Sequence, residues 1–263
     1  MRQTTTALVA KYDLGDAYGC PHPPGVSGLD NVTAERSVSG ERSVSAIILA
    51  GGSSSRLGQN KALIEIAGQP LIERVVKRLR SLVTEILVVT NTPDQLAFLG
   101  LLMIRDIYRG IGTLGGLHAG LSAIRTQYGL VVGCDMPFLN PDLLRYMISL
   151  LKRTCSHGAG APRPYDIVMP RIAPANAFAA PAGVYYEPLH AIYARRCLPF
   201  IEQSILSGRR RMLSFIPQVN VRYVEKETIS RFDPHHLSFF NVNSADDLAR
   251  MKALLEGASH PCG

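Results

Sequence analysis

The 263-residue chain has no tryptophan and only 7% aromatic residues. That composition is poor in the stacking platforms on which single-stranded nucleic acid is held. Its cysteines, Cys20, Cys134, Cys155, Cys197 and Cys262, form no C-x-x-C pair and are odd in number. A disulfide scaffold or zinc site is thereby disfavoured, and reduced thiols in a cytoplasmic protein are expected. No apolar run approaches the roughly 20 residues of a membrane span, and the apolar part of Thr4 to Ala10 is too short for a secretory signal. There is no Gly-Lys dipeptide, hence no Walker loop. The spacing of Gly51, Gly52 and Gly58 after the first strand does not supply the G-x-G-x-x-G dinucleotide fingerprint. What remains is ordinary globular protein, 46% hydrophobic and 19% charged, with a formal charge of +7. Such an excess invites a polyanionic partner.

Residues 1–43 show neither helical nor strand periodicity and read as a flexible extension. They hold four basic and five acidic residues, so the positive excess belongs to the rest of the chain. From Val44 the text becomes regular. Short apolar runs at 45–50, 86–89, 101–104 and 130–133 read as buried strands. Between them, Leu71, Ile72, Val75, Val76 and Leu79 share a helical face opposite Glu73, Arg74, Lys77 and Arg78. Further helices are expected at 117–124, 141–151 and 198–206. The pattern resumes at His190–Ala194, and a last strand is read at 239–242, followed by a closing helix with Ser244 as N-cap. Alternating strands and helices imply an α/β fold of three layers around a mostly parallel sheet. The organisation expected is an extension at 1–43, one domain at 44–257 with a loop excursion at 156–187, and a tail at 258–263. Asp166–Pro170 reads as a further strand within that excursion.

The most informative stretch is Leu49-Ala50-Gly51-Gly52-Ser53-Ser54-Ser55-Arg56-Leu57-Gly58-Gln59-Asn60-Lys61, directly after the first strand. Adjacent glycines let backbone N–H groups approach a ligand closely. Successive N–H groups make a concave anion site, to which Arg56 and Lys61 add full charges. In open α/β sheets ligands sit at the carboxyl ends of the strands, where this loop lies. The physical reading is a triphosphate cradle; the bland one is a strand-to-helix turn.

The pattern L-A-G-G-x-S-x-R-x-G-x-x-K resembles the signature of nucleotidyltransferases with the Rossmann-like nucleotide-diphospho-sugar transferase fold. Within them it is most similar to the molybdenum cofactor guanylyltransferase (MobA-like) group. Gly112-Thr113-Leu114-Gly115-Gly116-Leu117 resembles that group's G-P-L-x-G-[LM], with Thr113 in the place of proline. Cys134-Asp135-Met136-Pro137-Phe138 resembles C-D-x-P-[FY], and Asn241-Val242-Asn243-Ser244 resembles N-x-N-[ST]. Pro188–Tyr193 and Gly208–Arg211 resemble later blocks. The resemblance spans about 44–255.

It implies transfer of GMP from GTP to the phosphate of molybdenum-bearing molybdopterin, with release of pyrophosphate. Asp135 emerges after a buried strand, and a hard divalent cation with a triphosphate needs only one or two carboxylates. Asp135 is therefore the expected ligand for Mg²⁺, with Mn²⁺ as the alternative ion; otherwise it is a turn or capping aspartate. By resemblance Asp106 belongs to the nucleotide site and Asn91 touches guanine. From residues alone the two read equally as a turn former and an Asx-turn. Two-residue spacing in a strand puts Asn241 and Asn243 on one face, where they line the acceptor or metal pocket or bond local backbone. Arg210, within Arg209–Arg211, offers a site for the pterin phosphate, or is a solvated turn. A phosphate monoester needs no activating base, so Arg56, Lys61 and Asp135 act by positioning and charge neutralisation. Partners expected are GTP, molybdenum-molybdopterin and molybdopterin-handling proteins, without nucleic acid or membrane. Other readings are CTP as donor, a sugar-phosphate acceptor, or a nucleotide sensor without activity.

Overall fold

The computed structural model of the protein describes residues 44–51, 60–151, 154–155, 163–172 and 185–258. The expected 1–43 extension, Gly52 and Arg56, and residues 259–263 of the tail lie outside these. The chain opens on β1 (Val44–Leu49), buried at all six positions as a central parallel strand covered on both faces must be. A two-residue hairpin, β2 (Glu65–Ile66) and β3 (Gln69–Pro70), leads into α1 (Leu71–Leu79), whose five expected apolar residues are all buried. Then come β4 (Glu85–Val89), β5 (Leu102–Ile104), α2 (Thr113–Ala123), β6 (Tyr128–Gly133) and α3 (Pro141–Leu150). The second half holds the short pair β7 (Thr154–Cys155) and β8 (Arg163–Pro164), then β9 (Ile167–Ile172), β10 (Tyr185–Tyr186) and β11 (His190–Ala194). It closes with α4 (Leu198–Leu206), β12 (Val221–Glu225), α5 (Lys226–Phe232) and α6 (Ala245–Ala258).

Eight of these strands build one mixed, mostly parallel sheet, as expected, while β2–β3 and β7–β8 are separate two-stranded pairs. β4 and β6 flank β1 in parallel, and β5 pairs in parallel with β4. β11 runs antiparallel to both β6 and β9, and β12 pairs in parallel with β9. The step from β1 to β4 runs towards one sheet edge and the step from β5 to β6 runs back. Right-handed crossovers then place α1 and α2 on opposite faces, which makes three layers. α2 packs on β1, β4 and β6 and against α4. Asn140 starts α3 as anticipated, its side-chain oxygen accepting from the Asp142 and Leu143 N–H groups.

The strand expected at 166–170 is β9, at 167–172, with Ile167, Val168 and Met169 fully buried. Two expectations change. Residues 239–242 are not a strand: a 3-10 turn at Leu237–Phe239 precedes an irregular segment. Beyond β9 the sheet is extended by β12, and Val242 instead joins a small second core with Ile64, Ile66, Leu71 and Met251. α2 begins at Thr113, four residues earlier than its apolar pattern suggested. Thr113 is thus the first helical residue, a position that tolerates proline but does not require it. Gly112 before it has φ +77°, which a side chain would strain.

Candidate functional site

The carboxyl ends of β1, β4, β5 and β6 lie side by side, and backbone pairing continues past the strand ends. Ala50 N–H donates to the Val89 carbonyl at 2.9 Å, Cys134 N–H to Leu49 at 3.2 Å, and Thr90 N–H to Ile104 at 2.8 Å. The loops that leave these strands are therefore held in register with one another. Leu49 and Ala50 are buried at the sheet's mouth and Gly51 is exposed there. The candidate cradle residues Gly52 and Arg56 lie outside the described residues.

The chain re-enters at Asn60, whose side chain caps a 3-10 turn at Lys61–Leu63 by accepting from Ala62 N–H at 3.1 Å. Its amide nitrogen donates to Gln95 Oε1 at 2.8 Å, tying the turn to the segment after β4. That anchoring sets Lys61. The ammonium of Lys61 donates to Asn243 Oδ1 at 2.6 Å and lies 3.5 Å from Asp135 Oδ2. Both charged side chains keep some exposure, 23% for Lys61 and 18% for Asp135. The pair is therefore open to a ligand.

Asp135 is placed by two features. A Cβ on Gly133 would lie 2.6 Å from Asp135 Oδ1, so only glycine leaves room for the carboxylate in this position. The Asp135 carbonyl accepts from Val242 N–H at 3.0 Å, which brings the Asn241–Asn243 segment across the strand end. Asn243 joins the site through this bridge and the Lys61 bond, not through strand alternation. Its own backbone is held from behind, because Asp247 accepts from the N–H groups of Asn243 and Ser244, both at 2.9 Å. Asn241 is half-buried beside the completely buried Val242.

A second group forms over β4 and β5. Asn91 Nδ2 donates to Asp106 Oδ2 at 3.0 Å. A Cβ on Gly116, in the first turn of α2, would lie 3.4 Å from Leu49 and 3.6 Å from Asp106 Oδ1. Asn91, Asp106, Leu49 and the start of α2 are thus brought together, with Ala50 and Gly51 between this group and the Lys61–Asp135–Asn243 group. The N–H groups of the first turn of an 11-residue helix add positive potential on this side. Arg210 is exposed and reaches the Gly110 carbonyl at 3.3 Å, on the loop between β5 and α2. No contact among the described residues joins it to Asn241 or Asn243.

Burial pushes the Cys134 thiol up to about 12, so it packs without reacting. The described residues contain no cluster of three His, Cys, Asp or Glu that could hold a metal. A closed protein-only metal cage is absent from them, but a hard cation carried by phosphates does not need one. The open carboxylate of Asp135, with the space that Gly133 leaves it, fits such an ion. Asn60, Gly133 and Asp247 were not singled out as site residues from the sequence. The S-x-x-D spacing from Ser244 to Asp247 was the one legible signal of the three.

Comparison with known proteins identifies the family. A family model described as MobA-like NTP transferase domain matches residues 46–222. The probable molybdenum cofactor guanylyltransferase of Pelotomaculum thermopropionicum is 34% identical over 212 residues, 81% of this chain and 93% of its own. The molybdenum cofactor guanylyltransferase of Desulfosudis oleivorans is 31% identical over 214 residues, 81% of this chain and 96% of its own. Among solved structures, molybdopterin-guanine dinucleotide biosynthesis protein A from Archaeoglobus fulgidus superposes with a TM-score of 0.65 at 28% identity. It covers 81% of this chain and 99% of its own.

Proposed function

This chain belongs to the MobA-like NTP transferase family, and from that premise we propose that it transfers GMP from GTP to the phosphate of molybdenum-bearing molybdopterin, releasing pyrophosphate. The observation that carries the reading is the convergence of Lys61, Asp135 and Asn243 at the carboxyl end of the sheet. It sits beside the Asn91–Asp106 pair, with Ala50 and Gly51 at the end of β1 between the two groups.

The acceptor is already a phosphate anion near neutral pH, so its oxygen can attack the α-phosphorus without a protein base. The bond between the α-phosphorus and the bridging oxygen breaks, and pyrophosphate departs with that oxygen. The chain supplies position and charge. Backbone N–H groups from Gly51 onward, together with Lys61, bind the triphosphate; Arg56 and Gly52 extend this cradle. Asn91 and Asp106 face the base, where the Asp106 carboxylate is an acceptor suited to the N–H donors on guanine's edge. Asn241, Asn243 and Arg210 bind the acceptor phosphate and its carrier. Asp135 holds Mg²⁺, or Mn²⁺ in its place. Bound there, the ion neutralises phosphate oxygens as charge builds in the transition state. No helix of the described residues is long and apolar enough to cross a membrane, and the reading keeps the protein in the cytoplasm. Its folded body reads as one domain at 44–257.

The test supplies the protein with Mg²⁺, molybdenum-molybdopterin and, in separate reactions, GTP, CTP or ATP, and follows pyrophosphate and dinucleotide product. Product with GTP alone is expected. Turnover with CTP in place of GTP, or none with any nucleotide, overturns the assignment.

A further inference from the structure

On the far side of the Asp135 loop lies a cavity of about 340 Å³ that the reaction above does not use. One wall is α1, which presents Arg74, Lys77 and Arg78; the other is apolar, with Phe138, Met251 and Leu255. Among the described residues no acidic side chain lines it. In sequence these three cations read as the solvated face of an amphipathic helix, but the packing gives that face a lid. Phe138 sits edge-to-face on Phe240 with ring centroids 5.8 Å apart, and Met251 is fully buried in the small second core.

Residues 74, 77 and 78 are neighbours on the helix surface, where like charges repel. Glu73, on the same face, accepts from Gln69 Nε2 at 3.4 Å. Among the described residues none of the three cations takes part in an ion pair. Arg74 donates to the Ile66 carbonyl at 2.6 Å, which fixes its guanidinium beside the cavity. The volume falls in the range of small-molecule pockets.

We infer that this cavity is a second binding site, for a small molecule carrying a phosphate monoester on a planar ring. The phosphate would face Arg74, Lys77 and Arg78, and the ring would lie against Phe138, Met251 and Leu255. Ligand there touches both segments that carry the reaction site. Phe138 is three residues beyond Asp135, and Met251 is on the helix whose capped start holds Asn243. The inference does not depend on which nucleotide the reaction uses.

Calorimetric titration of the full chain with phenyl phosphate, 5′-GMP and inorganic phosphate tests it. The variants are the double substitution Lys77→Gln with Arg78→Gln, and separately Lys61→Ala. Lys77 and Arg78 are exposed and unpaired, so the double variant should fold normally, which its thermal midpoint checks. Phenyl phosphate is expected to bind one site, about tenfold or more weakly in the double variant and unchanged in Lys61→Ala. A GMP isotherm that loses one of two sites in the double variant identifies a nucleotide as occupant. One that loses none, with phenyl phosphate still sensitive, leaves a different ring phosphate. Phenyl phosphate binding that survives the double substitution, or that Lys61→Ala abolishes, overturns the inference. So does inorganic phosphate binding as tightly as phenyl phosphate, because the apolar wall would then recognise nothing.

Discussion

Asp135 and Lys61 face each other at 3.5 Å while both remain partly in water, and this decides what their substitution should do. Ion pairs with that much exposure contribute about 0–1 kcal/mol to stability. Asp135→Asn keeps the shape and removes the charge, so the fold should persist with a nearly unchanged urea midpoint. Turnover, measured as pyrophosphate release, should fall on the order of 10²–10³-fold, the cost of losing an electrostatic contact to a transition state. A variant with wild-type turnover would remove Asp135 from the site. Lys61→Ala should act differently, because it holds the ground-state triphosphate as well. A raised KM for the nucleotide alongside a lower kcat is expected, read from initial rates at varied nucleotide. These two residues were legible in the sequence because a charged side chain just past a buried strand, or just past a glycine loop, has few places to go. The partnership of Lys61 with Asn243 was not, since it spans 182 positions and depends on how residues 240–243 cross the strand end.

Those crossing residues show what local pattern can and cannot establish at the level of elements. Phe239 to Val242 is a short apolar run, and such runs do not distinguish a strand from any other buried segment. The sheet position beyond β9 went to Val221–Glu225, where Val224 is buried, Arg222 exposed and the other three half-buried, a pattern with no clean apolar alternation. β1, β4, β5 and β6 and the helices α1 to α4 and α6 were legible because their apolar periodicity is long or bounded by Gly, Pro and Asn, whereas the short β2, β3 and α5 carry no such signal. α6 is the element that converts the misread segment into part of the site. Ser244 and Asp247 cap it reciprocally, with Asp247 N–H donating to Ser244 Oγ at 3.1 Å and the Asp247 carboxylate accepting from Ser244 and Asn243. Partial burial acts to raise the Asp247 pKa, but these donors and Arg250 outweigh it and hold the carboxyl below the usual aspartate value. A lowered carboxylate pKa stabilises the fold above the ordinary value, and that contribution is lost as pH falls through the lowered one. Asp247→Ala should therefore cost about 1 kcal/mol at neutral pH, the price of a lost cap, measured by urea unfolding. Its deficit should shrink on acidification below the aspartate range. Because the same carboxylate holds the Asn243 backbone, the variant should also bind the acceptor more weakly.

For the molecule as a whole, stability against acid turns on one irregularity in the sheet. β12 pairs with β9 along residues 167–171, so β10 and β11, which also pair with β9, share its other edge. Glu187, Pro188 and Leu189 bulge out between them, next to the carboxyl end of β6, because His190 pairs with Val132. Two titratable groups sit at this bulge, His190 fully buried and Glu187 half-buried, with opposite consequences. Burial lowers the His190 pKa to about 4, although Asp233 works in the other direction, and neither ring nitrogen has a hydrogen-bond partner. Burial alone raises the Glu187 pKa to about 7. As pH falls below the ordinary histidine value, the unfolded chain takes up a proton that folded His190 refuses, and stability drops until about pH 4. As pH falls through 7, folded Glu187 takes up a proton that the unfolded chain does not yet bind, and stability rises until the ordinary glutamate value is reached. The two contributions run against each other over much of the same window and are of similar size. Glu187→Gln should expose the histidine term. Between about pH 7.5 and pH 5 the variant should lose about 2–3 kcal/mol of unfolding free energy relative to the wild type over the same interval. His190→Phe should do the reverse, gaining relative stability as pH falls through 6.5 toward 5. Urea unfolding of the three proteins across that interval checks both signs at once. Parallel pH profiles for all three would mean that neither group titrates differently in the folded and unfolded chains.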